Sequence, residues 1–344
     1  MTGKTHRIGP SIIQTGKDFA SEELCHEYLA ASRWPEGVRC LQCDSTRISK
    51  FTVKGRTRTR MSRKTGELVT KTAPDRYMYQ CLDCKYQFAA TTGTLFTDTH
   101  LELRAWMQAI ALMCTAKKGI SAKQMERTLG VSYKTAWYLN HRIRKAMEEG
   151  IEPLFSGTVE ADETYVGGKY DKRRKRAKYD KEVVFGMVER ETGRVHAAHV
   201  PGATRGSVTR EIDTAVGPEA RFMTDESMLY KNLKDRGFEH EIVVHSVNQW
   251  VRGECHTQGI DGFWSLLKRG LIGSFHQVSI KHLNRYISEF GFRYNHRDDE
   301  EIFAAVVIAL VIKQALRYKA LTSSRGPSAP TIADAPKPED DAPF

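Results

Sequence analysis

The spacing of apolar side chains changes several times along the chain, and each change predicts a different kind of element. Apolar residues recur at helical spacing from Asp18 to Ala31, which predicts an amphipathic helix. Between Arg39 and Thr94 the pattern is typical of short strands and turns, and from Leu101 to Met147 it becomes helical again. Beyond Gly157 strand-like and helix-like runs alternate. These changes predict several successive modules.

The alternating region has a definite order of elements. The strand-like runs are Thr158 to Val166, Val183 to Glu189, Arg194 to Val200, Arg221 to Thr224 and Glu241 to His245. The helix-like runs are Gly206 to Val216, Met228 to Arg236, Thr257 to Gly270, Ile280 to Tyr294 and Ile302 to Arg317. Three strands in succession, followed by alternating helices and strands, predict an α/β fold of the ribonuclease H-like type, a mixed sheet flanked by helices.

The helical region before it has the pattern of a helix-turn-helix. A first helix, Leu103 to Thr115, precedes two helices whose natural N-caps are Ser121 and Ser132, separated by a turn that contains Gly130. The last helix is polar and basic, as in a helix that enters a DNA groove. The same pattern also occurs in helical hairpins that only pack. The residues that we predict to contact DNA here are Lys134, Thr135, Tyr138 and Arg142.

Two Cys-x-x-Cys pairs predict a zinc ribbon. The four thiolates of Cys40, Cys43, Cys81 and Cys84 can share one tetrahedral structural Zn²⁺. The 37 residues between the pairs exceed the usual length, so we expect an inserted hairpin. This insertion carries many Lys and Arg residues, which fits either a DNA contact or a solvated charged hairpin. The remaining cysteines, Cys25, Cys114 and Cys255, fit buried apolar positions.

Composition narrows the class of protein. The chain has 344 residues and 53 Lys plus Arg against 42 Asp plus Glu, so its net charge of +11 favours a polyanionic partner. The sequence contains no apolar stretch long enough to span a bilayer and no apolar N-terminal signal, which predicts a cytoplasmic protein with no membrane partner. The tail from Ser323 is rich in Pro, Ala and Asp and is predicted to be disordered.

Three aspartates have the placement of a catalytic metal site. Glu160 and Asp162 share one face of the first strand, and acids clustered on a strand need compensation, which a divalent cation supplies. Asp225 ends an apolar strand at the sheet edge, and Asp261 follows it by 36 positions at the start of a helix. Lys268 comes two helical turns after Asp261 and shares its face of the helix.

These motifs together resemble the zinc-ribbon DDE transposases of insertion sequences, the group often called ISXO-two-like. The resemblance extends over about residues 20 to 320. Besides the four cysteines and the spacing of the acids, the matching runs are Thr92 to Phe96, Asp162 to Gly168, His256 to Gly270 and Phe292 to Arg297. The resemblance implies a transposase that binds the terminal inverted repeats of a mobile element, cuts there, and joins the freed ends to target DNA.

The resemblance also implies cofactors, partners and roles. Asp162, Asp225 and Asp261 would hold two Mg²⁺ or Mn²⁺ ions, with Gln258 as a further candidate ligand. Lys268 would bind a phosphate of the element end. Further basic residues predicted to contact DNA are Lys172, Arg173, Arg174, Lys175, Arg176 and Arg269, although those in the run from Lys169 to Lys178 fit a solvated loop equally well. The partners implied are double-stranded DNA and at least one further copy of the chain, in a bacterial cytoplasm at the nucleoid.

Two positions depart from the family pattern. The third acid is usually Glu and is Asp261 here, and the position three before it is usually Asn and is Gln258 here. These departures keep open a weakened or domesticated transposase that acts as a DNA-binding protein. A related metal-dependent endonuclease also fits the acids, whereas a DNA-binding regulator fits the ribbon and the helices but leaves the acids unexplained. The predicted modules are an N-terminal helical segment (1–35), the zinc ribbon (36–100), the helix-turn-helix (101–150), the catalytic domain (155–320) and the tail (323–344).

Overall fold

The computed structural model describes residues 11–61, 65–167, 181–244 and 251–323. The helices are α1 (Ile12–Asp18), α2 (Glu22–Arg33), α3 (Leu103–Thr115), α4 (Ala122–Leu129), α5 (Tyr133–Ala146), α6 (Arg205–Ala215), α7 (Gln258–Gly270), α8 (Ile280–Asn295), α9 (Ile302–Ile312) and α10 (Tyr318–Thr322). The strands are β1 (Ile48–Val53), β2 (Thr57–Met61), β3 (Leu68–Thr72), β4 (Arg76–Cys81), β5 (Gln87–Phe88), β6 (Thr158–Val166), β7 (Glu182–Glu189), β8 (Val195–Val200), β9 (Arg221–Thr224) and β10 (Glu239–Ile242).

A five-stranded sheet forms the second half of the chain, in the order β10-β9-β6-β7-β8. Strands β6, β7 and β8 are antiparallel, whereas β9 runs parallel to β6 and β10 runs parallel to β9. Helix α6 packs on one face of the sheet, and α7 and α8 pack on the other. This is the strand order of the ribonuclease H-like fold, so the predicted fold is confirmed.

The region of the two cysteine pairs is a small antiparallel sheet in the order β1-β4-β5. Between β1 and β4 the strands β2 and β3 form a separate two-stranded hairpin. Every residue of β2 is exposed, and among the described elements the main packing partner of β2 is β3. The prediction that a hairpin is inserted into the ribbon is therefore confirmed.

A helical core lies between the ribbon and the large sheet. Helices α2, α3, α4, α5 and α9 share one cluster of buried apolar side chains. The hydroxyls of Ser121 and Ser132 accept hydrogen bonds from the first turns of α4 and α5, as their N-cap positions predict. Helix α9 belongs to this cluster, as does Leu321 of α10, although the sequence interpretation assigned residues 302–317 to the end of the catalytic region.

A buried ionic group joins the helical core to the sheet. The Nε of Arg144 on α5 donates a 2.5 Å hydrogen bond to Glu289 on α8, and Arg293 also pairs with Glu289. All three side chains are almost fully buried. Helix α8 also packs on the sheet through Phe290, so this group connects the two halves of the molecule.

The predicted helix from Met228 to Arg236 is wrong. The structure has a 3₁₀ turn over Met228–Tyr230, followed by further turns closed by bonds between residues three apart. Both Tyr230 and Leu233 are buried, and a spacing of three places two side chains on the same side of a 3₁₀ turn. Burial of this pair outweighs the helical pattern of the segment.

Three other predicted elements have different limits. The segment from Asp18 to Ala31 is divided between α1 and α2, because the Ser21 hydroxyl caps a new helix there. Helix α9 ends at Ile312, since the next residues become extended and Gln314 forms a bridge with Thr94. Strand β10 begins two residues before the predicted strand, and His245 lies outside the described residues.

The predicted disordered tail lies, from residue 324 onward, outside the described residues. Across the described ranges, no helix combines the length and the apolar character needed to cross a bilayer.

Candidate active site and zinc centre

The first two acids lie side by side on neighbouring parallel strands, with Asp162 in the middle of β6 and Asp225 just beyond the carboxyl end of β9. Glu160 on β6 pairs with Met223 on β9. Continuing this register by two residues places Asp162 level with Asp225, which directly follows β9. Adjacent strands are about 4.8 Å apart. The predicted juxtaposition of Asp162 and Asp225 is therefore present.

Helix α7 brings the third acid to the face of the sheet on which Asp162 lies. The Nε1 of Trp264 donates a 2.9 Å hydrogen bond to Oδ2 of Asp162. Asp261 belongs to the first turn of the same helix, three residues before Trp264, and residues three apart are neighbours on a helix surface. Asp261 is exposed, whereas Trp264 is buried. The contact of the Trp264 ring with Asp162 is not indicated by the sequence pattern.

A glycine on β7 makes room for this contact. Gly186 is the partner of Asp162 in the β6–β7 ladder. A Cβ built on Gly186 would lie 2.5 Å from the Trp264 ring, closer than real Cβ contacts. Glycine inside a strand weakens it, and it often marks a close approach of another group. Here it allows the indole to lie directly beside Asp162.

Negative charge is concentrated at this end of the sheet. Burial raises the pKa of Asp162 to about 7, and the Glu163 and Asp225 carboxylates add to the rise, whereas the Trp264 hydrogen bond lowers it. Burial also raises the pKa of Glu163, with a contribution from Asp225 and against the hydrogen bond from Tyr230. The Tyr230 hydroxyl donates that bond over 2.7 Å. Protonation is thus one response to the crowded carboxylates, and a bound cation would be another.

The Glu160 carboxylate, unlike that of Asp162, is fully engaged in hydrogen bonds to the start of α7 and to Arg190. It is 1% exposed, and its Oε2 accepts hydrogen bonds from the amides of Gly259 (2.6 Å) and Ile260 (3.1 Å) in the first turn of α7. Its Oε1 accepts a 2.6 Å bond from Nε of Arg190 and lies 3.2 Å from Nδ1 of His256. The sequence placed Glu160 on the face of Asp162 but did not show that it caps the helix of the third acid.

The three aspartates have the oxygen ligands that a divalent cation requires, but their carboxylate oxygens do not lie close enough together to form a ligand group. Carboxylate oxygens are the ligands that Mg²⁺ and Mn²⁺ prefer. Among the described residues, the four cysteines form the group of three or more potential ligands whose donor atoms lie within 4.8 Å of one another, and the aspartates form none. The Glu163 and Asp225 carboxylates, which add to the rise that burial causes in the pKa of Asp162, are the observation in favour of a cation.

The remaining predicted residues of the active site that the structure describes lie on helix α7 itself. Gln258 is the first residue of α7 and is exposed. Lys268 is exposed and lines a cavity beyond the end of β6, together with Tyr165 and Gly167. Arg269 is also exposed and donates to the Ser265 carbonyl oxygen. Their predicted roles toward metal and DNA stay predictions. Lys172, Arg173, Arg174, Lys175 and Arg176 lie outside the described residues.

The second centre is the group of four cysteines. The Sγ of Cys40 lies 3.5 Å from that of Cys84, and the Sγ of Cys43 lies 3.6 Å from that of Cys81. Tetrahedral Zn²⁺ with bonds of about 2.3 Å requires sulfurs about 3.8 Å apart. The pKa of Cys81 is lowered to about 6, mainly because the Cys84 amide donates to its sulfur. The structure thus brings together the four predicted zinc ligands.

The helices α4 and α5 form the predicted hairpin, but the predicted DNA contacts on α5 divide into two kinds. Lys134 is exposed near the start of α5, and Thr135 beside it is half-buried. In contrast, Arg142 is 4% exposed and donates to the Thr97 carbonyl and to the Tyr138 hydroxyl. Tyr138 in turn donates to the Leu316 carbonyl. In this conformation Tyr138 and Arg142 connect α5 to other parts of the protein. Of the four residues, those at the start of α5 are the ones accessible to a DNA groove.

A ribonuclease H-like sheet with one acid within its first strand and another just after its fourth, preceded by a four-cysteine ribbon, is typical of enzymes that act on nucleic acid. Residues 154–295 match the family described as the ISXO2-like transposase domain, and residues 20–87 match the transposase zinc-ribbon domain. The chain thus contains an ISXO2-like transposase domain, preceded by a transposase zinc-ribbon domain with its four cysteines grouped together.

One curated relative and two solved structures are similar to parts of the chain. An uncharacterized protein in transposable element ISH50 of Halobacterium salinarum is 29% identical over 294 residues, which is 80% of this chain and 92% of that protein. The catalytic core domain of BIV integrase is 14% identical, with a TM-score of 0.24 over 50% of this chain and 88% of that one. A simian T-cell lymphotropic virus intasome in complex with PP2A regulatory subunit B56 gamma is also 14% identical, with a TM-score of 0.27 over 67% of this chain and 80% of that one. The fold assignment rests on the strand order and the family match.

Proposed function

We propose that the protein binds the terminal inverted repeats of an insertion sequence and catalyses metal-dependent DNA strand cleavage and strand transfer. The observation that carries this proposal is the level placement of Asp162 and Asp225 on adjacent strands, with the helix of Asp261 bonded to Asp162 through Trp264. Asp162 and Asp225 are thus neighbours on the sheet, and Asp261 lies in the first turn of the helix that is bonded to Asp162.

The residues have separate tasks in this proposal. Asp162, Asp225 and Asp261 hold Mg²⁺ or Mn²⁺, with Gln258 as a further oxygen ligand, and Lys268 binds a phosphate near the end of the element. Such ions, when bound, would supply activation of a water and stabilisation of the leaving 3′ oxygen. Trp264 keeps Asp162 oriented through its 2.9 Å hydrogen bond.

Strand transfer uses the same residues with a different nucleophile. In cleavage, water attacks phosphorus and the DNA 3′ oxygen leaves with a proton. In transfer, the freed 3′-hydroxyl attacks a target phosphodiester, so that one P–O bond forms as another breaks and no external energy source is needed. No covalent bond to the protein forms in either step.

We assign DNA recognition to the modules before the sheet, with Arg269 on α7 as a further contact. The exposed start of α5, at Lys134 and Thr135, is the part of the helical hairpin open to a DNA groove, and the basic hairpin β2–β3 and Arg269 offer contacts to phosphates. We propose the module limits predicted from the sequence, except that α9 belongs to the helical core, with double-stranded DNA as the partner. Because two element ends must meet, we also propose assembly of at least two copies on DNA at the bacterial nucleoid.

The test is cleavage and joining of labelled DNA that carries the element's own ends, with Mg²⁺ or Mn²⁺. We expect Asp162→Ala, Asp225→Ala and Asp261→Ala each to abolish both reactions while binding to the ends persists. Asp213→Ala is the control, because Asp213 is an exposed aspartate on α6 that pairs with Arg236.

An endonuclease and a DNA-binding remnant would each give a different result in the same assay. Cleavage without joining would identify an endonuclease. Binding without chemistry from the wild-type protein, with either metal, would identify a DNA-binding remnant, and the Asp261 departure from the family's usual Glu is the feature that favours it. If Asp261→Ala stays active while Gln258→Ala does not, the third ligand is Gln258.

A further inference from the structure

The place of helix α7 relative to strand β6 depends on one buried carboxylate. Amides in the first turn of a helix have no partner within the helix and require an acceptor. Here Oε2 of Glu160 accepts from both Gly259 and Ile260, at 2.6 and 3.1 Å. An acidic group at this end of a helix is also favoured by the helix dipole. Thr257, at the N-cap position, makes no side-chain capping bond.

The loop before the helix is held by the same group. Arg190 follows β7, and its amide donates to the Thr158 carbonyl at the start of β6. Its guanidinium donates to Oε1 of Glu160 and to the carbonyl oxygens of Glu254 (2.7 Å) and His256 (2.8 Å). Arg190 therefore fixes Glu160 and the approach to α7 at once.

The helix lies close to the strand because residue 259 is glycine. A Cβ built on Gly259 would lie 2.9 Å from Oε2 of Glu160, so any larger residue must displace the carboxylate or the helix. In contrast, a Cβ on Gly262 of the same helix would meet nothing within 4 Å. Asp261 follows Gly259 by two residues, so its distance from Asp162 depends on this contact.

We propose that Glu160, locked by Arg190, is the positioning residue that sets the place of Asp261 relative to Asp162 in the proposed cleavage reaction. It does not act as a metal ligand, because both of its oxygens are occupied and its side chain is 1% exposed. The proposal rests on the proposed function. It assigns to the Glu160 carboxylate a role toward the third acid.

The experiment compares Gly259→Ala with Gly262→Ala in the full-length protein. Both changes add the same methyl group to α7, but only the first one meets Glu160. We expect Gly259→Ala to lower the cleavage rate, or to raise the Mg²⁺ concentration at half-maximal rate, by about 10- to 100-fold, which is typical for groups that orient metal ligands. The affinity for the DNA ends should not change. Gly262→Ala should behave as wild type.

A rescue separates positioning from general damage. Glutamate is one methylene longer than aspartate, about 1.5 Å. If Gly259→Ala acts by moving Asp261 away, adding Asp261→Glu to it should restore part of the lost rate. Equal rates for the two alanine variants, or no recovery in the double variant, would overturn the proposal.

A second pair of variants tests the carboxylate itself. Glu160→Gln should weaken the lock with Arg190 and reduce the rate in the same way. Glu189→Gln is its matched control, because Glu189 is also buried, lies on β7 and accepts amide bonds from Ser156 and Gly157, away from α7. Loss of rate in both variants would show a merely structural role and overturn the proposal.

Amide hydrogen exchange provides an arm that needs no activity. If the wild-type protein cuts no DNA, the proposed function fails, whereas the lock itself can still be measured. We expect the amides of Gly259 and Ile260 to exchange faster in Glu160→Gln than in wild type, and to be unchanged in Glu189→Gln. Unchanged protection in Glu160→Gln would contradict the lock, whatever the activity.

Discussion

The indole Nε1 of Trp264 lies 2.9 Å from Oδ2 of Asp162 and donates a hydrogen bond to it across 102 positions of sequence. This bond links the helix of the third acid to the strand of the first. It also opposes the rise that burial causes in the pKa of Asp162, because it favours the ionised carboxylate. A large aromatic residue thus serves both the packing of α7 and the state of the acid.

Replacing this donor should therefore reduce activity more than stability. Trp264→Phe keeps an aromatic ring but removes the N–H group. A hydrogen bond to a charged group contributes roughly 1.5–3 kcal/mol, so we expect the DNA cleavage rate to fall by about 10-fold or more. Trp106→Phe is the control, since Trp106 is also buried and its Nε1 donates a 2.9 Å bond to Thr99 in the helical core. An equal loss in both variants would contradict the role at Asp162.

Acid should weaken the connection between α5 and α8. Burial alone would raise the pKa of Glu289, but Arg144 and Arg293 outweigh it and hold the pKa below its usual value. A carboxyl whose pKa is lowered by folding stabilises the fold above its unfolded pKa of about 4.3, and this contribution disappears as pH falls through the folded value. The free energy of unfolding should thus fall below about pH 4.3, as measured by denaturant titration from pH 7 to 3.

The same group predicts a mutational effect at neutral pH. Glu289→Gln leaves two buried guanidinium groups without a counter-charge, which should cost about 3 kcal/mol or more. Its acid dependence should also be flatter than that of wild type. Glu148→Gln removes a partly exposed partner of Lys145 and should cost less than about 1 kcal/mol. Comparable losses in the free energy of unfolding of the two variants would contradict a larger contribution of the buried ionic group to stability.

The zinc ribbon should hold one metal ion and depend on it. We expect one equivalent of Zn²⁺ per chain by atomic absorption, lost on treatment with a strong chelator and in Cys81→Ser, since the small sheet of the ribbon has few buried apolar residues to replace the ion. Cys255→Ala, at a buried cysteine outside the ribbon, should keep its zinc. Full zinc content in Cys81→Ser would show that the four-sulfur site is not the one used.

Two basic residues on α5 should behave differently. Lys134→Ala should weaken binding to DNA and reduce the slope of log affinity against log salt by about one, as expected for a lost phosphate contact. Arg142→Ala should instead lower the free energy of unfolding, because its guanidinium lies buried between the Thr97 carbonyl and Tyr138. Binding and denaturation assays on both variants check this. A stable Arg142→Ala that has lost DNA binding would restore Arg142 as a DNA contact.

The sequence predicts much of this architecture because its strongest patterns are local. Strands β6 and β9 have the predicted limits, and the acids Asp162 and Asp225 follow from them, since alternation and strand ends are set by near neighbours. The ribbon cysteines are also fixed by short spacing. Local pattern and final structure agree where the fold places no long-range demand on the segment.

The sequence predictions are wrong or incomplete where a distant segment of the chain determines the environment of a residue. Arg142 has the character of a solvent-facing helix residue, but the chain near Leu316 covers its neighbour Tyr138. The role of Glu160 depends on amides 99 and 100 positions later in the chain. Gly186 was the available signal, because a glycine inside an apolar strand marks a close approach, but it does not name the residue that approaches.

The position of helix α9 in the sequence affects the order in which the chain can fold during synthesis. It follows the sheet in sequence, yet its apolar side chains complete a cluster begun by α2, α3 and α5. The segment of the large sheet is thus an insertion within a helical unit whose last piece is synthesised after it. During translation the first helices have no complete core until α9 and Leu321 of α10 have left the ribosome, so the helical unit is completed only after the whole large sheet has been synthesised.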